Sequence, residues 1–596
     1  MRGNVGRTLR LAMWFALVTA AAEVGARVFA KVFMQRPFSY GPQMAWMTPL
    51  ADVVMFAAAA AIATLAARLW PRSARLRVLL TCLVFLSCLS VLLLVPRIAV
   101  WAQVLLAAGL AAQIAALLAS RAAGFELLVR RTVPAMLSGA IVSGGLAAGV
   151  PLWREQRMVA ALPPAAPGAP NVLLIIWDTV RASSLSLYGY AKSTTPHLER
   201  FAARGVAFGR AVAPAPYTLA SHASFFTGRW AHELSTDWEA PLDDSHPTLA
   251  DVLSRAGYRT GAFSANSIYV TREYGMGRGF AHFREHSQGL REVIRASTLA
   301  RRLVTGETFR RLTRFDDNLG RVSAPEIGGA LAQWLARDKP RPWFAFLNMM
   351  EAHSPYLPAP PYDTLFGWYN ARTPSRERRE ARALARQLPW LITRQQARGL
   401  QPAYDGAIAT LDAATGALLE QLGRQGRLVN TLVVVAADHG EEFGEHSVFG
   451  HGNSLYLQSL HVPLVIVFPG HVPQRLRIAR TVSLRDLPAT VLDLIGAPGM
   501  LPGHSLRQLW SADSAAFPAS PALAEVRRAK GLPDRYPVSV GDLATAVTDS
   551  FQLIRDGYGQ EEVWDLAMGP TGDRPAVASP AALASLRALL PPARRP

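Results

Sequence analysis

Cysteine is almost absent from this chain of 596 residues. The two cysteines, Cys82 and Cys88, both fall inside one apolar run near the N-terminus. The rest of the chain therefore has no disulfides and no thiol available for modification. Half of the residues are hydrophobic, so a chain of this length can bury a large core and form two or more domains.

Charged residues are sparse before about residue 155. Five stretches there approach or reach the roughly 20 apolar residues that a bilayer-spanning helix needs. They lie near 9–33, 45–67, 78–96, 98–119 and 133–153. A cleavable signal peptide has a single short apolar segment, whereas here the segments continue. The pattern predicts a bundle of five transmembrane helices over residues 1–155.

Basic residues in the short loops predict the orientation, because they favour the cytoplasmic side. With the N-terminus inside, ten basic residues flank the inner ends of the spans and five flank the outer ends. An odd number of spans then places the remaining chain outside the cytoplasm. Within the first span Glu23, Arg27 and Lys31 share one helical face, which favours a neutralising ion pair and a snorkelling lysine over a substrate or lipid role.

Residues 156–170 are rich in proline and alanine and are predicted to form a linker. Beyond them, short apolar runs alternate with amphipathic helical stretches. The runs are 171–178, 260–266, 343–353, 430–440 and 462–470. Continuous apolar strands separated by helices indicate a mainly parallel sheet covered on both faces, so the fold class is α/β.

Polar residues stand where four of these runs stop: Asp178, Asn266, His353, and Asp438 with His439. In an open α/β sheet the carboxyl ends of the strands meet at one crevice where ligands bind, so the pattern predicts a site. Two carboxylates and an imidazole suit a divalent cation. A single aspartate at a strand end is more often a cap than a ligand, but Asp178, Asp438 and His439 together favour a metal site.

Several motifs resemble the sulfatase family within the alkaline phosphatase superfamily. In chain order they include NVLLIIWDTVR, TLASHASFFTG (218–228), EAHSPY (351–356), VVVAADHGEEFGEH, GHGNSLY, HVPLVIVFPG and SLRDLPATVLDLIGAP (483–498). The resemblance covers nearly all of residues 170–580. It implies a catalytic core over 171–475 and a C-terminal part over 476–596 that contains a small antiparallel subdomain.

One motif departs from the family pattern. Sulfate-ester hydrolases of this type oxidise a cysteine or serine to formylglycine, and that position holds Thr218 here. The family's proline, serine, arginine and Thr-Gly pair correspond to Ala220, Ser221, His222, Thr227 and Gly228. Because threonine cannot give an aldehyde and no cysteine is near, the chain is not a conventional formylglycine sulfatase.

Relatives that this chain resembles in carrying threonine use it as a nucleophile on phosphorus, in contact with the metal. They include lipoteichoic acid synthases, phosphoethanolamine transferases and nucleotide phosphodiesterases. The resemblance implies one divalent metal ion held by Asp178, Thr218, Asp438 and His439. His439 stands where many sulfatases have asparagine, which favours manganese or zinc, with calcium and magnesium as alternatives. Helix-forming residues follow Thr218, so its oxygen is expected near a helix N-terminus, which favours an anion.

Five further residues complete the predicted site. His353 and His451 match positions that contact the transferred group or protonate the leaving oxygen, with buried hydrogen-bonded histidines as the alternative. His222 stands where a sulfatase has arginine, and either a phosphate contact or a packing role fits it. Asn266 and Arg181 are weaker candidates for binding substrate.

Three functions stay open. The first is phosphoryl transfer or phosphodiester cleavage through Thr218, on an anionic ester of an envelope lipid or glycan. The second is sulfuric ester hydrolysis without formylglycine, and the third is a non-catalytic lipid sensor, which ranks last because all metal positions hold competent ligands. A basic insert at 371–386 is interpreted as solvated helix surface, with anionic lipid head groups as the alternative. A nucleic-acid partner is not expected, because the sequence contains no nucleic-acid-recognition motif.

Overall fold

A computed structural model describes most of the chain, in two compact units. The described residues are 2–34, 41–66, 75–95, 97–285, 289–306, 309, 322–337, 341–367, 391–497, 500–512, 514, 517–518, 520–566 and 580–591. The first unit contains residues 1–155 and 286–321, and the second contains 156–285 and 322–596. The basic insert at 371–386 lies outside the described residues.

Five long helices open the chain: α1 (Arg2–Met34), α2 (Met44–Ala66), α3 (Arg75–Leu92), α4 (Val100–Ser120) and α5 (Ala122–Ala160). All five are long and apolar enough to cross a membrane. The predicted number of long apolar helices is therefore confirmed. Helix α5 continues to Ala160, so the predicted linker is helical over its first residues.

Twelve further helices follow among the described residues. They are α6 (Pro196–Ala202), α7 (Thr218–Thr227), α8 (Leu249–Arg255), α9 (Leu290–Ala296), α10 (Thr298–Thr305), α11 (Ala324–Ala336), α12 (Tyr362–Leu365), α13 (Arg394–Arg424), α14 (Leu457–Leu460), α15 (Leu487–Ile495), α16 (Pro537–Val540) and α17 (Pro580–Leu589).

Helices α9 and α10 fold with the first unit, although the sequence analysis left them in the outer domain. Val293 and Ala296 of α9 pack with Met47 and Ala51 of α2. Leu299 of α10 is buried in the same core as residues of α1 to α5. A segment that follows four strands of the second unit along the chain therefore completes the helical bundle.

The junction between α9 and α10 closes on an ion pair inside α1. Arg27 Nη2 lies 3.2 Å from Glu23 Oε2, as the spacing predicts. Glu23 Oε2 also accepts hydrogen bonds from the backbone N–H (3.0 Å) and the hydroxyl (2.8 Å) of Thr298. Arg27 Nη1 donates to Ala296 O at 2.7 Å. Ions among apolar helices are tolerated only when they are paired and hydrogen-bonded. This junction is therefore held by specific polar contacts as well as by apolar packing.

The strands belong to the second unit. They are β1 (Asn171–Trp177), β2 (Val206–Val212), β3 (Arg259–Ser264), β4 (His282–Arg284), β5 (Trp343–Met349), β6 (Thr431–Ala437), β7 (Glu442–Phe443), β8 (Phe449–Gly450), β9 (His461–Val462), β10 (Leu464–Val467), β11 (Leu476–Ser483), β12 (Ala522–Val526), β13 (Leu543–Val547), β14 (Phe551–Arg555) and β15 (Glu561–Asp565).

The main sheet has the order β11-β2-β10-β6-β1-β5-β3-β4, with β9 paired to β2. Strand β1 runs parallel to both β5 and β6, and β3 is parallel to β5. Strand β10 is antiparallel to β2 and β6. Strands β1, β5 and β6 are buried along almost their whole length, as expected for a sheet covered on both faces. The α/β fold class is confirmed.

The small antiparallel sheet occupies only part of the predicted C-terminal region. Strand β11 lies beyond residue 475 but pairs in parallel with β2, so the main sheet extends to Ser483. The antiparallel sheet is β12-β13-β14-β15 and starts at Ala522.

Gly228 ends α7 and explains the Thr-Gly pair of the motif. It adopts the left-handed conformation (φ 71°), and its N–H caps the helix by donating to Ser224 O. A Cβ at this position would overlap the backbone carbonyl of Pro502. Both the conformation and the close approach require glycine.

We expect Gly228→Ala to destabilise the protein more than Gly496→Ala. Both glycines end helices in the left-handed conformation, but a Cβ on Gly496 meets open space. The control therefore loses only the backbone term, about 1–2 kcal/mol, while Gly228→Ala adds an overpacking cost of about 1–3 kcal/mol. Unfolding of the full chain in detergent measures both. Equal losses would contradict the overlap with Pro502.

Candidate active site

The ends of two paired strands bring the predicted metal ligands together. Asp178 directly follows β1, and Asp438 and His439 directly follow β6, its neighbour in the sheet. One ligand atom from each side chain lies within 4.8 Å of the others. All three residues are fully buried. The three side chains are close enough to hold a single cation.

Thr218 lies beside this cluster as the first residue of α7. Its hydroxyl Oγ1 is 3.3 Å from His439 Nε2, and the residue is 2% exposed. First-turn N–H groups of a helix have no intrahelical partner and favour an anion. The structure thus brings Thr218 to the three predicted metal ligands and to a helix N-terminus.

Asp438 carries an unsatisfied oxygen that a cation would neutralise. Its Oδ1 accepts hydrogen bonds from the backbone N–H groups of Thr179 (3.0 Å) and His439 (2.9 Å). Its Oδ2 is buried and has no hydrogen-bond partner among the described residues. That oxygen lies 3.5 Å from His439 Nε2. Burying a carboxylate oxygen without a donor is costly, so the donor set fits a bound divalent metal.

Asp178 is oriented by two amide side chains. Its Oδ2 accepts hydrogen bonds from Asn266 (2.9 Å) and from Asn348 (3.2 Å). Asn266 thus orients a predicted metal ligand, and its contact with substrate stays a prediction. Asn348 was not predicted, although an asparagine inside the apolar run of β5 is an unusual residue for a buried strand.

Burial and neighbouring groups set the ionisation of the ligands. Burial raises the pKa of Asp438 well above its ordinary value, and the Asp178 charge raises it further. Burial opposes ionisation of Asp178 too, but the charge of His353 and the hydrogen bond from Asn266 outweigh it and hold the pKa of Asp178 below its usual range. Burial lowers the pKa of His439 well below its ordinary value, so its ring is neutral. A neutral imidazole beside carboxylates is the state that binds metal.

The histidines His353 and His451 lie next to the ligand cluster. The His451 ring centroid is 4.5 Å from that of His439 and 5.0 Å from that of His353. His353 Nδ1 is 2.9 Å from Ser354 O. Burial lowers the pKa of His451, but the Glu441 carboxylate outweighs this and raises it above the ordinary value. The structure therefore places both predicted histidines at the site.

His222 lies one helical turn after the start of α7 and is fully buried. Its Nδ1 is 2.8 Å from Thr218 O and 3.5 Å from Asp438 Oδ2. Its ring packs against Phe225 and Phe346. Burial lowers the pKa of His222 to about 4, so the ring is neutral. These contacts support the packing role, and a phosphate contact stays a prediction.

Arg181 is held by protein groups. Its Nε donates to Ser184 Oγ at 2.9 Å, and Nη1 donates to Glu445 Oε1 at 2.8 Å and to a backbone carbonyl at 3.1 Å. The residue is 4% exposed. Nothing in this arrangement supports its predicted substrate contact.

Glu441, two residues after His439, also lies at the site and is not among the residues that the sequence predicts. Glu441 is fully buried. Its two carboxylate oxygens accept hydrogen bonds from His451 Nδ1 and from the hydroxyl of Tyr356. The signal that could have found it is the pair of glutamates directly after Asp-His-Gly, because acidic side chains so close to a buried strand need partners.

Comparison with known proteins identifies the family. The Sulfatase family profile matches residues 170–497, which is more than half of the chain. The chain belongs to the sulfatase family, as the motifs indicate. The matched residues include every predicted site residue, and members of this family typically bind a divalent metal ion.

Individual relatives agree with this assignment. An arylsulfatase from Clostridium perfringens is 25% identical over 395 residues, covering 57% of this chain and 78% of that protein. Arylsulfatase K from Canis lupus familiaris is 27% identical over 375 residues, covering 58% of this chain and 67% of that protein. The phosphonate monoester hydrolase of Agrobacterium radiobacter superposes with a TM-score of 0.55 at 25% identity, covering 70% of this chain and 93% of that structure.

We expect Asp438→Asn and Asp178→Asn to weaken binding of manganese or zinc. The loss should exceed the roughly 10- to 100-fold that removing a ligand's hydrogen-bond partner costs. Metal content of the full chain after equilibrium dialysis measures it. Asp405→Asn is the control, because Asp405 is also fully buried but pairs with Lys192 instead. Equal metal content in Asp438→Asn and the control would contradict the assigned ligands.

Proposed function

We propose that this protein is a membrane-anchored, metal-dependent phosphodiesterase or phosphoryl transferase with Thr218 as its nucleophile. The observation that carries the proposal is the hydroxyl of Thr218 at the start of α7, 3.3 Å from the metal-ligand candidate His439. A secondary alcohol cannot be oxidised to formylglycine, but it is a competent nucleophile toward phosphorus. The substrate class is an anionic ester of an envelope lipid or glycan.

The proposed reaction has two displacement steps. In the first, Thr218 Oγ1 gives its proton to solvent water and forms a bond to phosphorus, while the bond from phosphorus to the leaving alcohol breaks. His353 or His451 gives the leaving oxygen a proton. In the second, water or an acceptor hydroxyl attacks the phosphothreonine and frees Thr218. A divalent cation held by Asp178, Asp438 and His439 supplies positive charge that favours the ionised hydroxyl and the transferred group.

Two observations support this choice of ester. The chain lacks the cysteine or serine from which formylglycine is made. One of its structural relatives at 25% identity is a phosphonate monoester hydrolase, so this fold accommodates phosphorus esters.

The second candidate is sulfuric ester hydrolysis without formylglycine, which the arylsulfatase relatives favour. A non-catalytic lipid sensor ranks last, because the ligand cluster is complete.

The reaction is proposed to take place outside the cytoplasm. Five apolar helices support a membrane anchor, and the excess of basic residues on the predicted inner flanks supports an inside N-terminus. The substrate would then be drawn from the outer face of the membrane or from the envelope beyond it.

Trapping the intermediate tests the nucleophile. We expect the manganese-loaded full chain, quenched during turnover of an aryl phosphodiester, to carry a phosphate-containing adduct on the peptide with Thr218, detected by mass spectrometry. Thr218→Ala should lose the adduct and at least about 1,000-fold in rate, while Thr218→Ser, which keeps a hydroxyl, should carry the adduct on serine. Release of sulfate from an aryl sulfate, with no adduct and undiminished in Thr218→Ala, would favour the second candidate.

Cysteine labelling tests the sidedness. In a chain with Cys82→Ala and Cys88→Ala, Val429→Cys puts one thiol on the second unit, at a residue that is 76% exposed. A membrane-impermeant maleimide should label it in intact spheroplasts. Arg121→Cys, at an exposed position on a predicted inner loop, is the control and should react only after lysis. The reverse pattern would contradict the proposed orientation.

A further inference from the structure

Glu441 is held rigidly between the site and the interior of the second unit. Its backbone N–H donates to Gln458 O at 3.1 Å, and the preceding Gly440 N–H donates to Ser459 O at 2.7 Å. Its carbonyl accepts from Arg181 Nη1 at 3.1 Å. The carboxylate is therefore aimed from a fixed backbone, so its direction is determined by the fold.

The two oxygens of this carboxylate connect two different loops. Oε1 accepts from His451 Nδ1 at 3.0 Å, on the loop that follows β8. Oε2 accepts from the hydroxyl of Tyr356 at 2.9 Å. Tyr356 is fully buried, and its backbone N–H donates to His353 O at 3.2 Å. One carboxylate thus braces both loops that carry the predicted proton donors.

The contact with Oε1 also fixes which nitrogen of His451 carries a proton. A carboxylate accepts and cannot donate, so His451 Nδ1 must be the protonated nitrogen. The other nitrogen, Nε2, is then left for the reacting group, and in the doubly protonated ring it carries the proton that the leaving oxygen takes. A partner that sets the tautomer of a catalytic imidazole in this way acts on rate through orientation.

We propose that Glu441 is a positioning residue that directs His451 Nε2 toward the leaving oxygen and, through Tyr356, holds the His353 loop beside it. This inference rests on the proposed function, because it assumes that these histidines act on the transferred ester. It assigns Glu441 no contact with substrate.

A leaving-group comparison tests the proposal in the metal-loaded full chain. Methyl phenyl phosphate and methyl 4-nitrophenyl phosphate transfer the same group, but phenoxide needs a proton far more than 4-nitrophenoxide does. We expect Glu441→Ala to lower kcat for the phenyl ester by about 10- to 100-fold, to lower it much less for the nitrophenyl ester, and to leave KM nearly unchanged. Glu441→Gln keeps an oxygen acceptor for Nδ1–H and should lie between Glu441→Ala and wild type.

Glu442→Gln is the matched control. Glu442 is adjacent and fully buried, but its carboxylate accepts from Ser454 and Ser459 and from neither histidine. Glu442→Gln should lower kcat by the same factor for both esters, as any general loss of stability would. Equal losses on both esters in Glu441→Ala would overturn the proposal.

Two further measurements distinguish failure of this proposal from failure of the proposed function. In the first, the same comparison is made with phenyl sulfate and 4-nitrophenyl sulfate. If the protein cleaves only sulfates, the phosphorus chemistry is refuted, but the ratio of the two rates still tests the role of Glu441. The second measurement is a histidine 15N NMR spectrum, which needs no turnover. The His451 signal is assigned by its loss in His451→Gln. It should show a proton on Nδ1 in wild type and in Glu442→Gln. Mixed tautomers are expected in Glu441→Ala, and an unchanged signal there would overturn the proposal.

Discussion

Two carboxylates buried side by side at the end of a parallel sheet govern the rest of the site. Asp178 and Asp438 end neighbouring strands, so the register of β1 with β6 forces them together. Like charges in a buried site repel, and backbone and amide donors compensate only part of that repulsion. The oxygen that they leave without a donor is Asp438 Oδ2. A bound cation would neutralise that oxygen, and the hydroxyl of Thr218 lies beside the same cluster, 3.3 Å from His439 Nε2.

The fold determines the positions of the predicted metal ligands, whereas one residue determines which group can act as the nucleophile. The ligand positions depend on the strand order and the register of the main sheet, and the phosphonate monoester hydrolase superposes on this fold. The proposed nucleophile is a single side chain at the first position of α7. Threonine in place of cysteine or serine there would alter the chemistry without disturbing the sheet. Function in this family therefore follows the site more closely than the fold.

The sequence was most informative where chain geometry leaves few alternatives. Continuous apolar runs that end in Asp178, Asp438 and His439 predict both the strands and their common edge, because parallel strands bring their carboxyl ends together. The direction of β10 could not be predicted, since an apolar run reads the same in either orientation. Strand β2 was missed because VAFGRAV carries glycine and arginine in its middle.

Side-chain partners were harder to predict than ligands. The hydrogen bonds of Asn266 with Asp178 and of Glu441 with His451 join loops that are distant in sequence, and such contacts leave no local pattern. Helices α9 and α10 were also misplaced. Their apolar faces are short and their other faces carry arginines, so the sequence predicts ordinary surface helices, whereas packing against α2 and the contacts of Thr298 with Glu23 place them in the first unit.

The position of α9 and α10 along the chain constrains how the protein is made. Ribosomes complete α1 to α5 first, but the buried ion pair of Glu23 and Arg27 waits for Thr298, whose codon follows those of β1 to β4. The bundle therefore stays open on one side during synthesis, while part of a second fold is already emerging. Folding of the first unit and folding of the second unit are thus interleaved in time, and neither unit can be finished before synthesis of the other has begun.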